Sequence, residues 1–307
     1  MSTFVLIVGG LLLLALLAAA GLALHVTWKL THPVRKPVDM DPAEYGLAHV
    51  DDVRFPSREA RLSLAGWYIS AAANGFRSRK QTLVFAHGYS QNRLEPHLPA
   101  LSLASKLVEA GYDVLMFDFR NAGESDQAMT TIGLKEQDDL RGAIDYVHSV
   151  QPDHAVGLVG FSMGAATSLL AGAADERVEA IVADSPFYSL PEYLGENLPK
   201  WTGLPRFPFN WLILTLCPLF LGANPRDVKP YLAVQQADKP ILLIHGTHDT
   251  TVPHENSQRL YELARAPGSS LWLVPGAGHV RSYAKEPEKY VSRVRAFLED
   301  AMGEQTT

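Results

Sequence analysis

Cysteine is almost absent from this chain, whose 307 residues hold one, Cys217. A lone thiol excludes an internal disulfide framework and every zinc pattern built on paired cysteines. Its setting, the apolar stretch LILTLCPLF, reads as packing. Basic clusters are missing as well: Lys and Arg total 27 against 33 Asp and Glu, for a formal charge of -6. No basic run interleaves with aromatics, so nucleic acid is not an expected partner. Internal repeats and low-complexity segments are also lacking, which leaves one large α/β domain as the default for a chain of this length.

One long apolar run is present. FVLIVGGLLLLALLAAAGLAL, residues 4–24, is uncharged and matches the roughly 20 residues that a membrane-spanning helix needs. Only Met-Ser-Thr precedes it, without the basic n-region of a cleaved signal peptide. The expectation is an uncleaved anchor. Lys29, Arg35 and Lys36 follow the span with nothing basic before it, which predicts a cytoplasmic domain and a cell-membrane location. Residues 25–45, with Pro33, Pro37 and Pro42, read as an extended linker, and the catalytic-size domain is expected over 46–303.

From there strand and helix patterns alternate. YDVLMFDF and AVGLVGF read as buried strands, and ARLSLAGWYISA, TLVFAH, VEAIVADS, KPILLIHG and SLWLVPG as further strands. PALSLASKLVEAG, residues 134–149, ENSQRLYELARA and EKYVSRVRAFLEDAM read as helices. Repeated β-α alternation predicts a mainly parallel sheet with helices on both faces. Residues 186–230 break the rhythm with aromatics, prolines and a short greasy run. Pro205, Arg206, Pro208 and Pro218 leave that run too short to cross a bilayer, so it reads as an inserted cap, serving as a lid or an acyl-binding wall.

The stretch GLVGFSMGAATSLL sets Ser162 between Gly160 and Gly164, after an apolar strand and before an Ala-rich helix. A sharp strand-to-helix turn lifts a serine Oγ free of a sheet, and it crowds the positions two before and two after, where only very small residues fit. Serine is a weak nucleophile and needs a histidine base with a carboxylate to orient it. Asp249, in GTHDTTVP after the strand ILLIHG, and His279, in GAGHV after SLWLVPG, supply them in the chain order this arrangement predicts. Asp184, in VADSPF, is the rival carboxylate. His245, His248 and His254 surround Asp249 and read as packed or carbonyl-bonded histidines. The backbone N–H of Met163 is the expected first donor to a developing oxyanion, and that of Tyr89, after the strand ending at His87-Gly88, the second. His87 is expected to shape that loop, and the Tyr89 ring to border the substrate.

With these pieces in place, the chain resembles the serine-hydrolase branch of the α/β-hydrolase superfamily from about Val50 to Met302, through FAHGYSQN, DFRNAGES, GFSMG, IHGTHDTTVP and PGAGH. Together with the amino-terminal span it is similar to membrane-anchored bacterial hydrolases of the esterase/lipase type. The resemblance implies the α/β-hydrolase fold and acyl transfer to water with no metal or organic cofactor. DFRNAGES departs from the commoner R-G-x-G-x-S form, with Asn121 and Ala122 after Arg120.

The expected activity is hydrolysis of a carboxylic ester, of a small molecule or a lipid, through an acyl-serine on Ser162. Phe187, Tyr188, Trp201, Phe207, Phe209 and Trp211 of the cap predict an apolar pocket. An acyltransferase or peptidase with the same triad, and a binding protein that kept the fold and lost the chemistry, are the alternatives.

Overall fold

The structure, a computed structural model, describes residues 2–303 except Ala60 and Ala223; the Cys217 side chain, read above as packing, lies outside the described residues. After a long helix α1 (Ser2–Thr31) come β1 (Asp51–Pro56), β2 (Ser63–Ile69), β3 (Gln81–Ala86), α2 (Ala100–Glu109), β4 (Asp113–Phe117), α3 (Glu136–Val150), β5 (Ala155–Phe161), α4 (Met163–Gly172) and β6 (Val178–Asp184). Helices α5 (Leu190–Thr202), α6 (Arg206–Leu221) and α7 (Pro230–Gln236) follow, then β7 (Ile241–Gly246), α8 (Glu255–Tyr261), β8 (Ser270–Val274), α9 (Ser282–Lys285) and α10 (Pro287–Met302).

The eight strands form one sheet in the order β1-β2-β4-β3-β5-β6-β7-β8. β1 and β2 run antiparallel to their neighbours, and every pairing from β4 to β8 is parallel. Alternate residues of each central strand feed opposite faces. Val84, Leu115, Leu158 and Ile181 pack with Leu140 and Ile144 of α3 and Leu169 of α4. Leu83, Val114, Val159 and Val182 pack on the other face with Leu101 of α2 and Val294 and Leu298 of α10. A strand buried on both faces needs an unbroken apolar run, which is why these strands could be read from sequence. β1 could not. It is an edge strand whose only fully buried residue is Phe55, and DDVRFP carries no apolar run.

The chain leaves β3 outward to β4 and returns to the other side of β3 as β5. That reversal opens a crevice at the carboxyl ends of β3 and β5, where ligands bind in open α/β sheets. Ala86 of β3 stands opposite Gly160 of β5, so the segments that follow the two strands are brought side by side.

Helix α1 runs on to Thr31, seven residues past Leu24, which corrects the extended reading of residues 25–31. No proline interrupts the chain before Pro33, and the last turns have a surface to dock on: Ala23, Val26, Thr27 and Thr31 are buried, and α1 packs against α6. The earlier turns stand free, with Phe4 and Leu14 about 70% exposed, and the helix is long and apolar enough to cross a membrane. In the DFRNAGES turn, Asn121 takes a positive φ of 59°. Asparagine enters that left-handed region more readily than other side chains, which suits it to a position where the commoner form has glycine.

Candidate active site

The turn from β5 into α4 holds Ser162 at φ 53°, ψ -112°, a strained backbone for a residue with a side chain. Its neighbours explain how the strain is held. A Cβ on Gly160 would lie 2.5 Å from the Gly164 carbonyl oxygen, and a Cβ on Gly164 would lie 1.9 Å from that of Ala86. The two glycines let the start of α4 pass directly over β3 and β5.

Three loops from distant parts of the chain meet at Ser162. His279, in the loop after β8, approaches with Nε2 at 2.8 Å from Ser162 Oγ. Its Nδ1 lies 2.6 Å from Oδ2 of Asp249, which follows β7. The other Asp249 oxygen accepts the backbone N–H groups of Thr251 and Val252 at 2.9 and 2.8 Å. Burial by itself would push the pKa of this carboxyl up, but hydrogen bonds from His245 and His279 and their charges outweigh it and hold Asp249 well below the usual carboxylate range. The imidazole therefore faces an ionised carboxylate on one side and a hydroxyl on the other. Such a relay can take a proton from the serine while the carboxylate stabilises the imidazolium formed.

Asp184, the rival, is elsewhere engaged: its Oδ1 accepts the Ser185 hydroxyl at 2.9 Å, and burial pushes it up to about 6. Of the other three histidines, His248 is exposed and His254 half-buried. His245 is fully buried and more than packing. Its Nδ1 lies 2.6 Å from Ser257 Oγ, and its Nε2 lies 2.8 Å from the Val252 carbonyl oxygen and 3.2 Å from Asp249 Oδ2. Nε2 faces only acceptors, so it carries the proton, and the ring braces the same Asp249 oxygen that His279 contacts. Sequence reading passed over this role because it depends on a loop folding back over its own strand.

The loop after β3 closes the crevice. His87 Nε2 accepts the Phe119 N–H at 3.0 Å, and its Nδ1–H donates to the Gly88 carbonyl at 2.8 Å, so His87 holds two loops in shape. The Gly88 N–H donates to Oε2 of buried Glu95 at 2.6 Å. The next residue, Tyr89, lines the cavity over Ser162. Neither the Tyr89 nor the Met163 backbone N–H donates to a backbone carbonyl among the described residues. Burial lifts Glu95 to about 7, and no sequence pattern marked this carboxyl.

A cavity of about 430 Å³ lies over Ser162, with Leu30, Tyr89, Tyr193, Trp201 and Val280 among its walls. Of the six cap aromatics expected to build it, Trp201 alone lines it. Phe187 is buried and stacks on Tyr193, Tyr188 stacks on Tyr231, and Phe207 and Trp211 face outward at 78% and 59% exposure. The reason is local. Phe207 precedes a proline and so adopts an extended backbone, and the helix after it turns its inner face to α1 and α5. The end of α1 takes the place of the missing aromatics, a contribution that comes from tertiary docking and leaves no mark in the pattern.

Comparison with known proteins agrees with the fold. Residues 81–211 match the model of a family described as alpha/beta hydrolase fold. YqkD, an uncharacterized protein of Bacillus subtilis, is 32% identical over 227 residues, 71% of each chain. The solved structure of the Pyrococcus furiosus esterase Pf2001 superposes with a TM-score of 0.74 at 30% identity, over 90% of this chain and 99% of that one. The lysophosphatidylserine lipase ABHD12 of Danio rerio is 26% identical over 212 residues, 67% of this chain and 52% of the lipase.

Proposed function

The chain belongs to the alpha/beta-hydrolase family, and from that premise we propose that it is a membrane-anchored serine hydrolase that cleaves carboxylic esters. One observation carries the reading: an unbroken chain of contacts of 2.8 and 2.6 Å runs from Ser162 through His279 to Asp249. His279 Nε2 takes the Ser162 proton as Oγ attacks the acyl carbon. The negative oxygen that develops is met by the N–H groups of Met163 and Tyr89. The imidazolium then protonates the departing alkoxide, leaving an acyl-serine. Water, deprotonated by the same imidazole, releases the acid by the reverse steps.

Ester cleavage is favoured over acyl transfer and peptide cleavage because the Pyrococcus relative is an esterase and the Danio relative a lipase. The cavity walls, mostly apolar, support an aliphatic or aromatic acyl group. Helices α5 and α6, inserted between β6 and β7, act as the cap. Helix α1 anchors the protein, and Lys29, Arg35 and Lys36 argue for a cytoplasmic domain.

Labelling with a fluorophosphonate tests the nucleophile without a guess at the substrate. The folded chain should acquire one adduct, on Ser162, and Ser162→Ala should acquire none and should not turn over a short p-nitrophenyl ester. Absence of an adduct on the native chain would favour a binding protein on this fold.

A further inference from the structure

Two hollows share walls at the end of α1. The first is the cavity over Ser162. The second is a groove of about 320 Å³ along the flank of α1, with apolar walls from Leu22, Val26, Trp201 and Leu204 and polar ones from His25, Lys29 and Thr202. Leu30 and Trp201 line both. Leu22, Val26 and Leu30 follow one another at intervals of four, so they form one stripe of the helix, about 12 Å long at 1.5 Å per residue. The stripe starts on the turns that continue the apolar span and stops at the cavity. Trp28, 62% exposed and stacked on His32 at 3.7 Å between ring centroids, and Lys29 sit beside it. An aromatic ring and a lysine at one end of an apolar span mark the level of the lipid headgroups. Phe207, Trp211 and Leu219 of α6, the helix that packs on α1, add outward-facing apolar surface, and a bilayer is the medium in which such surface is stable.

We infer that the groove admits the acyl chain of a membrane-resident lipid ester, which leaves the bilayer along α1, passes between Leu30 and Trp201, and brings its ester carbonyl to Ser162. The inference rests on the reading of Ser162 as nucleophile. It makes the anchor part of the substrate site, and it names the substrate class as lipid esters drawn from the membrane that holds the enzyme. The chain must be single and flexible at this point, because the passage has α1 on one side and the cap on the other.

The full chain in phospholipid nanodiscs is treated with two fluorophosphonates, one with an ethyl group and one with a dodecyl chain, and the rates of Ser162 labelling are compared. The native protein should prefer the dodecyl probe. Val26→Trp, which fills the groove, should lower the dodecyl-to-ethyl ratio by at least about tenfold, the effect of keeping two methylenes in water. Leu204→Trp narrows the same groove from the cap side and should lower the ratio too, so the result does not depend on how Val26→Trp folds. Val26→Ala should not lower it. Ratios equal to the native value in both tryptophan variants would overturn the groove and leave the nucleophile standing. Failure of both probes to label native Ser162 would overturn the nucleophile, and the groove with it.

Discussion

His245 and His279 converge on one oxygen: Asp249 Oδ2 lies 3.2 Å from Nε2 of the first and 2.6 Å from Nδ1 of the second. With Thr251 and Val252 on the other oxygen, the carboxylate is gripped from three sides and has one orientation to offer His279. Replacing His245 by Ala removes one grip and leaves the Ser257 hydroxyl and the Val252 carbonyl without their partner. We expect kcat for a short ester to fall by roughly tenfold with little change in KM, because the interaction matters only when the imidazolium forms. Asp249→Asn should lower kcat by about 10⁴, since an amide favours the wrong imidazole tautomer. A His245→Ala enzyme as slow as Asp249→Asn would make His245 more than a brace.

The same grip sets a pH response. A carboxyl held below its ordinary value contributes stability that is fully present above the unfolded value of about 3.8 and is lost as pH falls through the depressed folded value. Native protein should therefore lose more stability than the His245→Ala variant as pH falls below the unfolded value of about 3.8, because the variant, with part of the depression gone, has less of this contribution to lose. Urea unfolding at a series of pH values gives both curves, and parallel curves would contradict the assignment.

Much of this site was legible from sequence, for a definite reason. Ser162 and Asp249 follow buried strands and His279 a partly buried edge strand, each with a glycine within three residues, and apolar runs closed by glycine-containing loops are local signals. Gly160 could be read because the crowding that requires it comes from the start of α4, and Gly164 because it completes the same short motif, although what crowds it is Ala86 and His87 at the end of distant β3. What stayed hidden depends on contacts between distant segments. Glu95 gains its place only when Gly88 folds toward it, and Leu30 enters the cavity only because α1 docks on the cap. Phe207 and Trp211 were misread for the converse reason. Aromatic content is visible in a sequence, whereas the side of a helix that faces a cavity is set by its packing partner.

Glu95 predicts a pH effect of opposite sign. Burial raises this carboxyl from 4.5 to about 7, against the pull of the Gly88 N–H, His279 and Lys36 and with the push of Asp184. The folded chain thus holds a proton that the unfolded chain has released. Its contribution is fully present below pH 4.5 and is lost as pH rises through about 7. Glu95→Gln keeps an acceptor for Gly88 and removes the ionisation. The variant should gain on the native protein as pH goes from 4.5 to 8, by up to about 3 kcal/mol. Denaturant midpoints at the two pH values measure the difference, and an unchanged difference would sink the prediction.

Gly164→Ala tests the geometry of the turn itself. The added methyl would meet backbone on three counts, at 1.9 Å from the Ala86 oxygen, 2.4 Å from its carbon and 2.6 Å from the His87 oxygen. Backbone cannot swing away as a side chain can, so α4 must lift from β3. The expected loss is about 3 kcal/mol or more, together with loss of fluorophosphonate labelling. A stable, labelled Gly164→Ala protein would mean that Ser162 is not held in the turn described.

Tyr89 joins the cavity to the end of α1, its hydroxyl donating to the Leu30 carbonyl oxygen at 2.8 Å. The last carbonyls of a helix have no partner within it, so this bond and the Thr130 N–H on the Thr31 oxygen at 2.9 Å pin the final turn beside the active site. Tyr89→Phe keeps the ring and the backbone N–H proposed for the oxyanion and deletes only the pin. The bond is worth about 1 kcal/mol, so the effect should be local: faster hydrogen exchange in the last turn of α1, and a fall in kcat for a short ester of less than about tenfold. If kcat instead dropped by a hundredfold or more, the hydroxyl, and not the backbone N–H, would be the group of Tyr89 that serves the reaction.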